Sequence, residues 1–306
     1  MERNGLLSLQ AMMFLLIGAG VFLKKKNIIT TEGRKVLTDL IVDIILPCNI
    51  IGAFYTTFDK EMLISGLQIL MVSLALQLFC MLISGFCYKR VPKSQRVILQ
   101  YGTVCSNAGF LGNPVAEGLY GSLGLLYASI YLIPQRIVMW SAGISYFTES
   151  PDKKEVAKKV LKHPCIIAVA IGIVLMVTQL PLPVFLEKAI HSLGGCTTAI
   201  TMLFIGTVLA DAGFHHMVTK ITVIYSFIRL VAIPAVVLAG CILFQVDSVA
   251  AGIAVVLAAM PAGSTTAILA AKYHGDEKFA TQCIVLTTLL SVGMLPLWCM
   301  ALDRFL

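Results

Sequence analysis

Helix-breaking residues and hydrogen-bonding side chains are concentrated in two short stretches of an otherwise apolar chain. The first stretch, residues 106–118, reads SNAGFLGNPVAEG, and the second, residues 258–273, reads AAMPAGSTTAILAAKY. Proline and glycine interrupt a helix, so the next helix begins with unpaired N–H groups and a partial positive charge. Noncovalent binding of a small anion is the chemistry that suits such a helix start with polar side chains beside it. The candidate binding residues are Asn107, Asn113, Pro114, Pro261, Gly263, Ser264, Thr265 and Thr266.

Close helix packing is a second interpretation of the first stretch. Ala108, Gly112 and Ala116 follow one another at four-residue spacing, which lets two membrane helices approach closely. Packing accounts for the glycines, but it does not account for two asparagines and a proline in the same stretch. We therefore favour the binding site.

Arg136, in the apolar run YLIPQRIVMW, is the candidate clamp for the anion. A guanidinium group binds a carboxylate through two parallel hydrogen bonds, and a charge inside a membrane is costly unless it is paired or lines a cavity. The competing interpretation is an internal ion pair of Arg136 with Glu117 or Asp43. Arg229 is a second intramembrane arginine, for which the sequence indicates snorkelling or internal pairing and no defined role.

Glu117, Asp43 and Asn49 are the candidates for ion coupling by H⁺ or Na⁺. Glu117 lies one helical turn beyond Pro114, where a carboxylate is also favoured by the helix N-terminus, so a capping role is the alternative. Proton coupling, Na⁺ coupling and facilitated diffusion all stay open. The sequence predicts no other cofactor and no metal site, and its nine cysteines form no CxxC pair.

The elements that must position these residues are membrane helices. The 306-residue chain is 58% apolar and 13% charged, with a mean hydropathy of +0.90, which excludes an ordinary soluble domain. Its apolar runs are long enough to cross a bilayer as helices. Ten spans are predicted, at 6–23, 36–56, 62–87, 97–119, 122–148, 164–180, 186–210, 217–245, 249–272 and 279–301.

Basic residues indicate the orientation of these spans. Most of the 23 Lys and Arg residues fall in loops that follow odd-numbered spans, and basic loops stay in the cytoplasm. We therefore expect a multi-pass plasma membrane protein with both termini extracellular. This asymmetry accounts for the net charge of +7 without any nucleic acid partner. The first apolar run is interpreted as a retained helix, because it lacks the features of a signal peptide.

A polar segment divides the spans into two sets of five. The predicted domains are a first repeat at 1–148, a cytoplasmic linker at 149–163 and a second repeat at 164–306. Two related halves with an odd number of spans must insert in opposite senses, as in many secondary transporters. The predicted fold is thus an all-α integral membrane protein of two inverted five-helix repeats, in which helices 4 and 9 are broken and cross.

Three segments together resemble the bacterial branch of the auxin efflux carrier family. They are ILPCNIIGAF at 45–54, NAGFLGNPVAEGLYGSLGLLYASIY at 107–131 and MPAGSTTAILAAKYHGDEKFATQCIVLTTLLSVGMLP at 260–296. The resemblance implies a scaffold domain, a transport domain, crossed broken helices and elevator-like alternating access. It implies transport of small organic anions such as malate or malonate, whereas plant members carry an indole carboxylate. The bile acid sodium symporters share the architecture and use Na⁺ near the crossing.

The resemblance also assigns positions at the crossing. It implies that Asn113 and Pro114 lie opposite Ser264, Thr265 and Thr266. Plant members have a second proline where this chain has Thr266, so the ninth-helix break is expected to be softer or shifted toward Pro261.

The expected function is secondary transport of mono- or dicarboxylates. The alternative is a transporter-like sensor or accessory protein that binds a small ligand without moving it. An enzyme and an ATP-driven pump are disfavoured, because the chain lacks HExxH, GxSxG and GxxxxGK[ST]. The expected partners are the organic anion, the lipid bilayer and a second copy of the chain, through small-residue faces of the scaffold helices.

Overall fold

The computed structural model describes residues 3–56, 59–147, 154, 158, 160–210, 217–273 and 275–305. Most of the predicted linker at 149–163 lies outside these residues. The regular structure within the described ranges is helical, with one isolated β-bridge. The prediction of an all-helical membrane protein is therefore confirmed.

The first half of the chain forms seven α-helices. They are α1 (Arg3–Lys25), α2 (Thr31–Leu40), α3 (Leu46–Phe54), α4 (Lys60–Cys87), α5 (Lys93–Val104), α6 (Asn113–Trp140) and α7 (Ala142–Ser145). A π-helical turn at Ile41–Ile45 joins α2 to α3, and a second at Ala108–Gly112 leads into α6. Gly121 interrupts α6 with a φ of 63°, a conformation that glycine adopts without steric cost.

The described part of the second half contributes eight more helices. They are α8 (Pro164–Thr178), α9 (Val184–Gly194), α10 (Thr197–Ala210), α11 (Lys220–Phe227), α12 (Ile233–Leu243), α13 (Ser248–Ala258), α14 (Thr265–Lys272) and α15 (Glu277–Phe305). A third π-helical turn at Ile228–Ala232 joins α11 to α12.

Six helical stretches in the described ranges are long and apolar enough to cross a membrane. They are Thr31–Phe54, Lys60–Cys87, Ala108–Met139, Val184–Ala210, Lys220–Leu243 and Glu277–Phe305. Pro164–Thr178 and Ser248–Ala258 are apolar but shorter. The chain is thus a multi-pass membrane protein. The predicted spans at 97–119 and 249–272 are each interrupted near the middle, where the two polar stretches lie.

Each of the three π-helical turns ends two residues before a proline, at Pro47, Pro114 or Pro234. Proline has no N–H and its ring clashes with the carbonyl four residues earlier, so the wider turn relieves the clash. The Leu230 carbonyl, which cannot pair with Pro234, instead accepts a hydrogen bond from Nε1 of Trp298 at 2.8 Å. Proline inside an apolar run therefore produces a widened turn at these three positions.

The helices pack into two groups. The first helix group contains α1, α2, α3, α8, α9 and α10, and the second contains α4–α7 and α11–α15. In the first group, α1 and α10 cross with their backbones in contact at Gly20 and Gly206. A Cβ on Gly206 would lie 2.8 Å from Cα of Gly20, so neither position has room for a side chain. The boundary between the groups is formed mainly by α3 and α6.

Candidate functional site

The two interrupted helices meet at their breaks. The first break follows α5, which ends at Val104, and the second follows α13, which ends at Ala258. The Asn107 N–H donates to the Pro261 carbonyl at 2.8 Å, and the Gly263 N–H donates to the Cys105 carbonyl at 3.1 Å. Ser106 and Ala262 form an antiparallel bridge between these bonds. Each break thus pairs backbone groups of the other, as non-helical backbone at membrane depth requires.

A glycine is needed where the two breaks cross. A Cβ on Gly263 would lie 3.0 Å from the Cys105 carbonyl oxygen and 3.2 Å from that of Ser106. These neighbours are backbone atoms, which cannot turn aside as a flexible side chain can. Pro261 and Gly263 both lie in the second break, which lies between Ala258 and Thr265.

Side chains from two long helices hold the breaks in place. Nε2 of Gln135, in α6, donates to the Ser106 carbonyl at 2.8 Å, and the Ser106 hydroxyl donates to Oε1 of Gln135 at 3.0 Å. Oγ1 of Thr287, in α15, accepts from the Ala262 N–H at 3.2 Å. Sequence reasoning missed both residues. A polar side chain directly after Pro134 in an apolar run was the available signal for Gln135.

The polar side chains of Asn113 and Thr266 are buried at this crossing. Asn113 is 0% exposed and Thr266 is 1% exposed. Among the described residues, neither amide atom of Asn113 nor Oγ1 of Thr266 finds a hydrogen-bond partner. Each such group costs about 1–3 kcal/mol, and a group of this kind in a native structure calls for a water, an ion or a ligand.

The remaining predicted binding residues also lie at this crossing. Asn107, Pro114 and Pro261 are buried, whereas Ser264 and Thr265 are half-buried. The Tyr101 hydroxyl, from α5, donates to Oγ1 of Thr265 at 3.2 Å. Gly112, at the end of the π-helical turn, packs against Met260 at the start of the second break, since a Cβ on this glycine would lie 3.2 Å from Cγ of Met260. The residues chosen from the two sequence stretches are therefore neighbours.

Arg136 is directed away from Gln135, because successive residues on a helix point about 100° apart. Its side chain is 6% exposed, and in the described part of the chain its Nη1 has no partner. It lies within electrostatic range of His163 and Cys165, at the start of α8. Arg136 thus stands at the boundary between the two helix groups. Of the two carboxylates in the alternative ion pair, that of Glu117 accepts a hydrogen bond from Asn49, and that of Asp43 lies, like Arg136, within electrostatic range of Cys165.

His163 is the neutral neighbour of Arg136. Burial is the main cause that lowers the pKa of His163 to about 4, and the positive charge of Arg136 acts in the same direction. Nδ1 of this imidazole accepts the N–H of Cys165 at 3.3 Å and so caps α8. The imidazole therefore adds no charge beside the guanidinium at neutral pH.

The three candidates for ion coupling are divided by the fold. Nδ2 of Asn49, in α3, donates to Oε2 of Glu117, in α6, at 3.0 Å, which links the two helix groups. Gly194 packs against this asparagine, since a Cβ there would lie 2.9 Å from Cα of Asn49. Asp43 lies in the first π-helical turn with an exposed side chain and takes no part in this hydrogen bond.

The chain is similar to known transport proteins over nearly its whole length. Residues 8–159 and 153–299 match the model of a family described as "Membrane transport protein". An uncharacterized transporter of Methanothermobacter thermautotrophicus is 24% identical over 297 residues, which cover 94% of this chain and 95% of that protein. An uncharacterized transporter of Methanocaldococcus jannaschii is 24% identical over 294 residues, covering 93% of this chain and 94% of that protein.

Proposed function

Because the chain belongs to the membrane transport protein family, the family of the auxin efflux carriers, we propose that it is a secondary transporter of small organic anions. The substrates are mono- or dicarboxylates such as malate or malonate, and they bind at the crossing of the two broken helices. The observation that carries this proposal is the pair of buried, unpaired side chains of Asn113 and Thr266 at that crossing.

The binding site combines three kinds of group. The start of the π-helical turn at Ala108, which continues into α6, and the start of α14 supply positive helix ends, to which an anion is attracted. Asn113 and Thr266 supply a donor each, and an anion that accepted both hydrogen bonds would give partners to Nδ2 of Asn113 and Oγ1 of Thr266. Half-buried Ser264 and Thr265 line the side of the crossing that solvent reaches. Arg136 remains the proposed guanidinium clamp, reached when the anion contacts the boundary between the helix groups.

Two inverted five-helix repeats, ten spans in all, are the proposed architecture. The two helix breaks are held in corresponding ways, which supports this architecture. The first break is held by Gln135 and the second by Thr287, and each comes from the long helix that follows the break in the chain. Positive-inside topology places the basic loops in the cytoplasm and both termini outside the plasma membrane.

Elevator-like movement of the second helix group against the first is the proposed mechanism. The hydrogen bond between Asn49 and Glu117 crosses the boundary, so sliding of the groups must break it. Glu117 is thereby the proposed coupling residue, because protonation or cation binding would compensate its carboxylate when Asn49 leaves. Facilitated diffusion down the anion gradient is the uncoupled alternative.

Thermal unfolding of the purified protein with malonate and malate tests the site. We expect ligand to raise the melting temperature of the wild type by mass action. Thr266→Val keeps the side-chain volume and removes an unpaired hydroxyl, so the unliganded variant should be at least as stable as wild type while its malonate affinity falls about tenfold. Asn113→Leu removes the other proposed donor, so its malonate affinity should fall by a similar factor.

Thr207→Val is the matched control for the threonine variant. Thr207 is equally buried, but its hydroxyl donates to the Phe204 carbonyl within α10, so the ligand affinity should not change. Unchanged malonate affinity in both Asn113→Leu and Thr266→Val would overturn the site. Counterflow of labelled malonate in liposomes distinguishes a transporter from a sensor, because a sensor binds the anion but gives no counterflow.

A further inference from the structure

Arg229 is a buried cation that the proposed site does not use. It lies in the π-helical turn between α11 and α12, is 3% exposed, and its Nε has no partner among the described residues. The groups within its electrostatic range are Cys80, Tyr88, Cys105, Tyr131 and Tyr225. These are thiols and phenols, which are neutral at physiological pH. A guanidinium group stays protonated in proteins, so Arg229 keeps its positive charge. These neutral neighbours do not compensate it.

The fold holds Arg229 directly behind the crossing. Tyr225 lies one helical turn earlier on the same face, and its hydroxyl abuts Gly102 of α5. Gly102 also packs against Ala262 of the second break, with 3.7 Å between a Cβ built on the glycine and that of the alanine. Cys105, directly after the end of α5, is a residue of the first break and lies within electrostatic range of Arg229.

Packing, not a counterion, fixes the position of this charge. The hydrogen bond from Trp298 to the Leu230 carbonyl anchors the π-helical turn. The rings of Tyr88 and Tyr225 lie with their centroids 6.4 Å apart and enclose the same region. At 3% exposure, the guanidinium thus lies beneath this packing and not at an open surface.

We propose that Arg229 is a specificity-determining residue that acts on the anion through its electric field, so that the crossing favours ligands by their number of negative charges. This inference rests on the proposed anion site. A fixed charge behind the site attracts a dianion about twice as strongly as a monoanion of the same shape. For charges about 10 Å apart at an effective dielectric constant of about 20, Coulomb's law gives roughly tenfold in affinity per ligand charge. Substitution of a residue that only supported the fold would lower the affinity for both ligands by the same factor.

The test compares malonate with its monomethyl ester, which at about pH 8 carry two charges and one. Arg229→Gln should weaken malonate about a hundredfold and the monoester about tenfold, measured by calorimetric titration of the purified protein. Arg229→Lys keeps the charge and should stay within about threefold of wild type for both. Lys220→Gln removes an exposed cation from the start of α11 and serves as the matched control, since solvent screens it.

Gln77→Glu provides a second test of the proposal if Arg229→Gln does not fold. Gln77 is 3% exposed, its Oε1 has no partner among the described residues, and it lies one turn from Cys80 on the buried face of α4. Gln77→Glu would place a carboxylate near the guanidinium and cancel its field, giving the same charge-dependent loss. Equal losses for the two probes in the folded variants overturn this inference alone. Wild-type protein that binds neither probe overturns the proposed function, and this inference with it.

Discussion

The two helix breaks differ in how firmly they are held. The first is fixed by both polar atoms of the Gln135 amide and leads through a π-helical turn and Pro114 into the long helix α6. Besides its backbone bonds to the first break, the second is held by the hydrogen bond from the Ala262 N–H to the Thr287 side chain, and it leads into α14, which has eight residues. The first break therefore provides the frame of the site, and the second presents its accessible polar side chains.

Loss of the Gln135 amide is expected to have the largest effect on this frame. Gln135→Leu leaves the carbonyl and the hydroxyl of Ser106 buried without partners, which costs about 3 kcal/mol and lowers the melting temperature by about 5 °C. Thermal unfolding in detergent measures the loss of stability, and counterflow in liposomes measures the effect on transport. Gln135→Glu keeps the acceptor for the Ser106 hydroxyl and should fall between Gln135→Leu and wild type. A Gln135→Leu protein as stable as wild type would show that the first break needs no clamp.

The space around the backbone at the two breaks can be compared by adding a methyl group to each. In Gly263→Ala the new Cβ meets two backbone oxygens at 3.0 and 3.2 Å, so the breaks must separate, at a cost of about 2 kcal/mol. Gly109→Ala, in the π-helical turn of the first break, meets no heavy atom within 4 Å and should change stability little. The difference between the two melting temperatures is the measurement. Equal effects would mean that the crossing is not tightly packed at Gly263.

The side-chain hydrogen bond to the second break is expected to have the smallest effect. Thr287→Val leaves the Ala262 N–H without its acceptor, and we expect a loss of about 1 kcal/mol. Thr288→Val is the neighbouring control, because the hydroxyl of Thr288 donates only to the Ile284 carbonyl of its own helix. Unfolding in a graded denaturant series compares the two variants. If Thr288→Val is the more damaging of the two, then Thr287 does not hold the break.

The sequence was informative where a residue conflicts with its surroundings. Proline, glycine and asparagine in apolar runs marked both breaks, and Pro261 indicated where the second would lie. Gln135 and Thr287 could not be recognised, because their role depends on which helices pack around the breaks. The direction of Arg136 is likewise set by the packing of α6 against α8, which periodicity alone does not reveal.

The prolines show a related limit. Pro47, Pro114 and Pro234 could be located in apolar runs. A proline is compatible with either a kink or a π-helical turn, so the sequence alone does not predict which of the two forms. Which one forms depends on whether a neighbour donates a hydrogen bond to the freed carbonyl, as Nε1 of Trp298 does to the Leu230 carbonyl. Pro134 and Pro296, by contrast, stay inside α6 and α15.

The crossing of α1 and α10 has a consequence for biosynthesis. Gly20 is synthesised well before Gly206, the residue whose backbone it contacts. At about 5–20 residues per second, the ribosome needs roughly 10–40 s to make the chain between them. During that time the face of α1 around Gly20 lacks the helix against which it packs, so completion of the first helix group waits for α10 to enter the membrane.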